Sequence, residues 1–338
     1  MKLLKRPQHN SIGGPLWWTL SIVGLVLSGW GFVPHRHLHA KAWSYLPHDM
    51  RAAWPVHPTT LMELATRADT RKHTDSLEAE RHYLDLDDLR AAGLHVWGTP
   101  WSEARTFIAD EDSTQSPRRY GVLPWNLEWA YRKLVEAWSH SDSVPVDAFV
   151  VSKAAADLGH YIADAHVPLH TSGNYNGQRT NQKGVHALWE TQAVEWMLSP
   201  TAGRHCPPCD LGELVYDPVW TPWEIVTESH ALVSEVLEAE EKWNVLCAHR
   251  GFGFQRRGRT MQLLPTEDAL VMWDSLTHGH TWPRFCLAAH RIAAAWHAAW
   301  IDAGRPKIER EKAPSLWERL ELYLPRRTTQ PESTQSHP

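Results

Sequence analysis

Apolar residues recur at spacings of three and four along most of this chain, a period that predicts helices. The pattern places helices over His37–Tyr45, Pro58–Arg71, Leu123–Trp138, Val146–His166, Val185–Met197, Trp223–Ala248 and Pro283–Ala303. Pro124 falls near a helix start, and Pro168 ends the helix before it. Gly304 and Pro306 stop the last helix. Between the helices, residues 99–120, 173–184, 201–222 and 249–260 are rich in Gly, Pro, Ser, Asn or Arg and read as loops. No segment alternates clearly enough to predict a strand, and no repeat or heptad emerges. The expected fold class is therefore all-α: a single, mostly helical domain with long loops.

The two ends depart from this pattern. Lys2, Lys5 and Arg6 precede an apolar run from Leu16 to Leu27, followed by Ser28 and Gly29. That run is short for a bilayer span and suits an export signal over residues 1–29, with an uncleaved signal anchor as the alternative. Cleavage after Gly29 makes Trp30 the first residue of an exported chain, periplasmic or secreted. The domain is then expected over residues 30–310, with no transmembrane segment, followed by a polar tail over 311–338 whose end, from Thr328, lacks the apolar residues to fold.

Composition narrows the function little. The net charge of −5 gives no basic footprint for nucleic acid as a whole. Twenty tryptophans suit a core between packed helices, whereas 22 histidines prove nothing by their number. An exported chain favours disulfides among Cys206, Cys209, Cys247 and Cys286. Cys206–Cys209 as a tight bridge with Cys247–Cys286 as a longer one is one reading, but spacing leaves the connectivity open.

The chemistry concentrates in two short stretches. His160 and Asp164 stand four apart, as do His186 and Glu190, with His170 between the pairs. On a helix that spacing stacks the two side chains on one face, and imidazole nitrogen with carboxylate oxygen is a zinc donor set. Pro168 breaks the first helix and lets His170 turn towards another ion. His166 falls on the other face and reads as a supporting or surface residue. There is no Gly-x-Ser-x-Gly elbow, no phosphate-binding P-loop and no His-Glu-x-x-His.

Leu158-Gly-His-Tyr-Ile-Ala-Asp-Ala-His-Val-Pro-Leu-His170 together with Gly184-Val-His-Ala-Leu-Trp-Glu190 resembles the superfamily of zinc-dependent phospholipases C and single-strand-specific zinc nucleases. Trp30-Gly-Phe-Val-Pro-His35, Asp69 with Glu78-Ala-Glu-Arg-His-Tyr-Leu-Asp85, and the helix Ala288–Gly304 extend the likeness from Trp30 to Gly304. The resemblance implies a mostly helical fold with up to three zinc ions. One would be held by Asp69, His82, His160 and Asp164, and a second by His170, His186 and Glu190. The third would take the amine and carbonyl of Trp30, with His35 and a shared Asp164. Asp75 stands near Asp69, and His37 and His39 near His35, as competitors for those places.

The implied reaction is phosphodiester hydrolysis by zinc-activated water. Asp87 and Arg90 are candidate catalytic groups for orienting that water and a phosphate oxygen, or else a polar helix start. Glu190 and the short loop between His170 and His186 look closer to the phospholipases C. In that loop Tyr175 is placed to stack on a base, or Arg179 and Lys183 to meet phosphate, unless the loop is simply solvated. The expected partner is thus a phosphodiester, phospholipid or single-stranded nucleic acid. The alternatives are a single-strand-specific endonuclease or 3′-nucleotidase and, in another class, a non-catalytic zinc-binding protein. Three protein ligands on the second ion would leave an open position, which favours catalysis.

Overall fold

A computed structural model describes residues 32–139, 146–212, 215–247, 251–257 and 260–308. Trp30, the segment read as an export signal and the tail from 311 lie outside the described residues.

Among the described residues the chain is mostly helical, with one two-stranded sheet. Its centre is α8 (Ala148–Ala165), begun by the Asp147 carboxylate, which accepts from the Phe149 and Val150 amides. Around it pack α1 (Phe32–Tyr45), α3 (Pro58–Leu64), α7 (Leu123–Trp138) and α14 (Thr281–Asp302). Gly159 makes the close approach possible: a Cβ there would meet His39 Nε2 at 2.7 Å and the Trp296 ring at 3.2 Å. Trp54 fills the space below, edge-on to Trp43, Trp138 and Trp296, with ring centroids 5.2–5.8 Å away.

Several expectations change against this frame. The helix expected over Pro58–Arg71 is two, α3 and α4 (Arg67–Arg71), with α2 (His48–Ala53) ahead of them. The break at Ala65 frees its carbonyl, which accepts from His160 Nδ1 at 2.8 Å. The expected loop over 99–120 contains α6 (Trp101–Glu111), following the short α5 (Leu86–Ala91). That helix buries only Ala104 and Ile108 and leaves Phe107 exposed, so its apolar signal is weak. Val185–Met197 is helical, but α9 (Val185–Ala187) and α10 (Val194–Met197) flank a π-helical turn over Leu188–Ala193. Trp223–Ala248 divides into α11 (Trp220–His230) and α12 (Val233–Cys247). The basic stretch expected as a loop is a hairpin, β1 (Phe252–Arg257) with β2 (Thr260–Pro265), followed by α13 (Glu267–Leu276). Both strands are six residues long, Gly and Arg fall in β1 alone, and cross-strand pairing, not alternation, defines them.

The disulfide joins Cys206 to Cys286, leaving Cys209 and Cys247 as free thiols. Neither suggested pair forms. The loop before α11 lies against α14, and the two Cα atoms come within 5.3 Å. Cys247 is buried at the end of α12, where Gly251 packs on it.

Candidate metal centre

His160 and Asp164 project from the last turns of α8 and are both buried, with Nε2 and Oδ2 3.4 Å apart. Helix α8 ends one residue later, and a 3-10 turn over Pro168–Thr171 redirects the chain. That turn is pinned to the segment after His82: His170 Nδ1 donates to the His82 carbonyl at 2.7 Å, and the Leu84 amide donates to the His170 carbonyl at 2.9 Å. His82 thereby faces α8, its Nδ1 2.7 Å from Asp164 Oδ2 and 3.2 Å from His160 Nε2. Asp69, on α4, closes this group with Oδ1 3.7 Å from His160 Nε2 and 3.9 Å from His82 Nδ1.

The second group sits around Glu190, in the π turn. Its Oε2 lies 2.6 Å from His186 Nε2 and 3.6 Å from His170 Nε2. The wider π turn is a common device where a helix must redirect a functional side chain. Here Glu190 Oε1 also lies 3.4 Å from His35 Nε2, which is 3.3 Å from Asp164 Oδ1. His35 thus links the two groups. It also stacks on the His160 ring, with centroids 4.1 Å apart.

The structure therefore brings eight sequence-derived candidates together: His35, Asp69, His82, His160, Asp164, His170, His186 and Glu190. It also separates the competitors. His37 is exposed and His39 turns its Nε2 to the Ala156 carbonyl, while Asp75 pairs with Arg81. The third site's Trp30 lies outside the described residues. Asp87 stands beside the cluster but holds the chain after His170, accepting from Ser172 Oγ at 2.7 Å and the Gly173 amide at 2.9 Å. Arg90 is exposed on α5 and is not among the clustered groups. Arg179 pairs with Asp88. His166 is buried, donating from Nδ1 to the Ile162 carbonyl with Nε2 facing Arg291.

These residues fit a divalent ion by the chemistry of the donor set. Histidine nitrogens and carboxylate oxygens converge in groups of three whose donor atoms lie within 4.8 Å of one another. His160, His170 and His186 each spend Nδ1 on a backbone carbonyl, which fixes the tautomer and leaves Nε2 for a ligand. His82 is the inverse case, offering Nδ1 while Nε2 lies 3.4 Å from Glu78 Oε1.

Glu78 was not read as part of the site. It is fully buried and gathers Arg71, Arg81 and the Tyr161 hydroxyl behind His82. Burial raises its pKa, but the His82 and Arg71 contacts outweigh this and hold it well below the usual carboxylate range. Its signal was faint: Glu78 and His82 are four apart, but only a 3-10 turn lies between them. Glu78→Gln keeps the shape and removes the charge orienting His82. Metal affinity is expected to fall roughly 10–100-fold, as for other supporting carboxylates, measured by zinc competition against a chromophoric chelator.

Burial opposes charge on every imidazole, but the net shifts run in opposite senses. It lowers the His160 pKa to about 3 despite Asp164, and that of His39 to about 4 despite two carbonyls. Burial also opposes charge on His35, but its contacts with Asp164 and Glu190 outweigh that and push it to about 10. Below about pH 6.5 the unfolded chain binds protons that folded His39 and His160 refuse, so stability falls as acid is added. The His35 contribution is fully present below about pH 6.5 and is lost as pH rises through its folded value. Asp164 and Glu190 are buried, yet their histidine partners depress them strongly. Their share is present above about pH 4 and is lost only in stronger acid. The metal-free chain is therefore expected to be most stable at about pH 6–7. Urea midpoints from pH 4 to 10 with chelator present check this. A profile that does not fall above pH 7 contradicts a charged His35.

Compared with known proteins, the chain matches no protein-family model and shows no significant match to a curated sequence.

Proposed function

We propose that this chain is a zinc-dependent phosphodiester hydrolase of the phospholipase C type, with the helical fold of the zinc phospholipase C and nuclease superfamily. The convergence of His35, Asp69, His82, His160, Asp164, His170, His186 and Glu190 carries the reading. Their order along the chain agrees with that resemblance. Asp69, His82, His160 and Asp164 would hold one zinc, and His170, His186 and Glu190 a second. His35 and Asp164 would hold a third, with Trp30 as the remaining expected ligand. Bound zinc supplies Lewis-acid polarisation of phosphoryl oxygens and lowers the pKa of a water it binds.

The chain's own residues set the stage for that chemistry. Asp164 touches both halves of the cluster, so a shift of α8 would be felt in each. Asp87 shapes the rim by tying Ser172 and Gly173, and so acts as a positioning residue. Lys72 places an ammonium 2.8 Å from Asp69 Oδ1, a cation at the edge of an otherwise acidic cluster. The Cys206–Cys286 bridge suits the oxidising compartment that export implies.

One observation favours a second reading, a single-strand-specific nuclease. Tyr175 is 54% exposed and its ring centroid is 6.4 Å from that of His186, where it can stack on a base. Zinc-loaded protein beginning at Trp30 is the test. Phosphocholine release from phosphatidylcholine supports the first reading; nucleotide release from single-stranded RNA supports the second. Zinc binding with neither activity moves the assignment to a non-catalytic zinc protein.

A further inference from the structure

The β1–β2 hairpin is inside out. In an antiparallel pair packed on a domain, the apolar side turns inward and the polar side faces water. Opposed residues share a face, and residues two apart along a strand share it as well. The register pairs Phe252 with Pro265, Phe254 with Leu263, and Arg256 with Met261. These six form one face, and on it Phe254, Met261, Leu263 and Phe252 are 74, 60, 57 and 44% exposed. The opposite face carries Gly253, Gln255, Arg257, Thr260 and Gln262, with Leu264 as its single large apolar side chain. From it Arg257 pairs with Glu195, so the polar face is the one turned towards the body of the protein. At the root, Trp243 packs edge-on against Phe252, with centroids 5.4 Å apart. The last turn of α12 adds exposed Val245 and Leu246 beside that root.

Charge selects the occupant. The chain carries a net −5, yet from Lys242 to Thr266 it has no Asp or Glu and includes Arg250, Arg256, Arg257 and Arg259. Arg256 is exposed on the same face as Phe254. A second copy docked face to face would set this basic stretch against its own like charge. Single-stranded nucleic acid would use the phenyl rings and the arginines but gain little from Leu263 and Met261. A bilayer with anionic headgroups accepts all of them: aromatic and aliphatic tips enter the acyl boundary while arginine stays at the phosphates. Among the described residues no helix is long and apolar enough to cross a membrane, so such contact would lie at the interface.

We propose that the β1–β2 hairpin is a docking surface for anionic phospholipid bilayers, with Phe254 and Leu263 as its apolar anchors and Arg256 as its headgroup contact. This goes beyond the hydrolytic reading, because attachment and cleavage are separate measurements.

Zinc-loaded protein is sedimented with vesicles of phosphatidylcholine alone, or of phosphatidylcholine with phosphatidylglycerol, and headgroup release is recorded in parallel. Binding is expected to favour the anionic vesicles and to weaken with salt. The double variant Phe254→Ser, Leu263→Ser should bind roughly tenfold or more weakly, since two large apolar side chains no longer leave water. Arg256→Gln should remove most of the preference for phosphatidylglycerol. Both variants alter exposed side chains, and unchanged melting temperature and zinc content would show that the fold persists. Equal binding by wild type and the double variant overturns the proposal. So does the absence of vesicle binding, whether the variants instead lose affinity for a single-stranded oligonucleotide or lose a dimer seen in ultracentrifugation. Vesicle binding without headgroup release would leave the docking surface intact and overturn only the phospholipase reading.

Discussion

His160→Ala is expected to remove at least one bound zinc per chain and to slow phosphodiester cleavage by about a hundredfold or more. The rate follows from the several kcal/mol an ion contributes to charge stabilisation, at roughly tenfold per 1.4 kcal/mol. His160 stands where three elements meet: α8, which bears it, α4 through Asp69, and the segment of His82. Its Nε2 faces both partners, and its Nδ1 hydrogen satisfies the Ala65 carbonyl in the break between α3 and α4. Alanine takes away a ligand and also leaves that carbonyl buried without its donor, a cost of about 1–3 kcal/mol. Loss of activity alone does not distinguish a disordered break from a missing ligand. Metal content measured by mass spectrometry on folded protein separates the two, with His37→Ala, an exposed neighbour of the cluster, as the comparison. Full zinc occupancy and full activity in His160→Ala would sink the assignment of the centre. Loss of one ion with His37→Ala unaffected is the expected result.

The largest expected effect on stability lies away from the metal groups, at Trp54. Its ring is fully buried and meets Trp43, Trp138 and Trp296 edge-on. This is the geometry in which aromatic pairs add to the area they bury. Trp54→Ala removes the ring and leaves a void that α1, α7 and α14 cannot readily close. The expected cost is about 3–5 kcal/mol, which lowers the melting temperature by roughly 10 °C for a domain of this size. Trp54 Nε1 has no hydrogen-bond partner. Trp54→Phe should therefore lose much less, because it sacrifices ring area but no buried hydrogen bond. Thermal unfolding of both variants beside wild type checks this; near-equal midpoints for Ala and wild type would contradict the packing argument.

The sequence by itself determined what depends on near neighbours. The helical period placed α7, α8 and α14 almost to the residue, because each has one wide apolar face and a clear boundary such as Pro124, Pro168 or Gly304. It also singled out His160 with Asp164 and His186 with Glu190, pairs created by spacing alone. Where elements are short or polar, that signal fades: α6 buries only Ala104 and Ile108, and the hairpin puts its apolar side chains into water. Only the tertiary structure decided the rest. Packing of α1 and α4 on α8 chose His35 over His37 and His39, and Asp69 over Asp75. The loop against α14 chose Cys286 as the partner of Cys206. The break at Ala65 forms where a distant imidazole replaces a helical hydrogen bond. Glu78 gains its place behind His82 from Arg71 and Tyr161, which lie on other elements. Each of these outcomes turns on contacts between residues far apart in sequence. Their energies depend on which faces meet, and no local pattern records that.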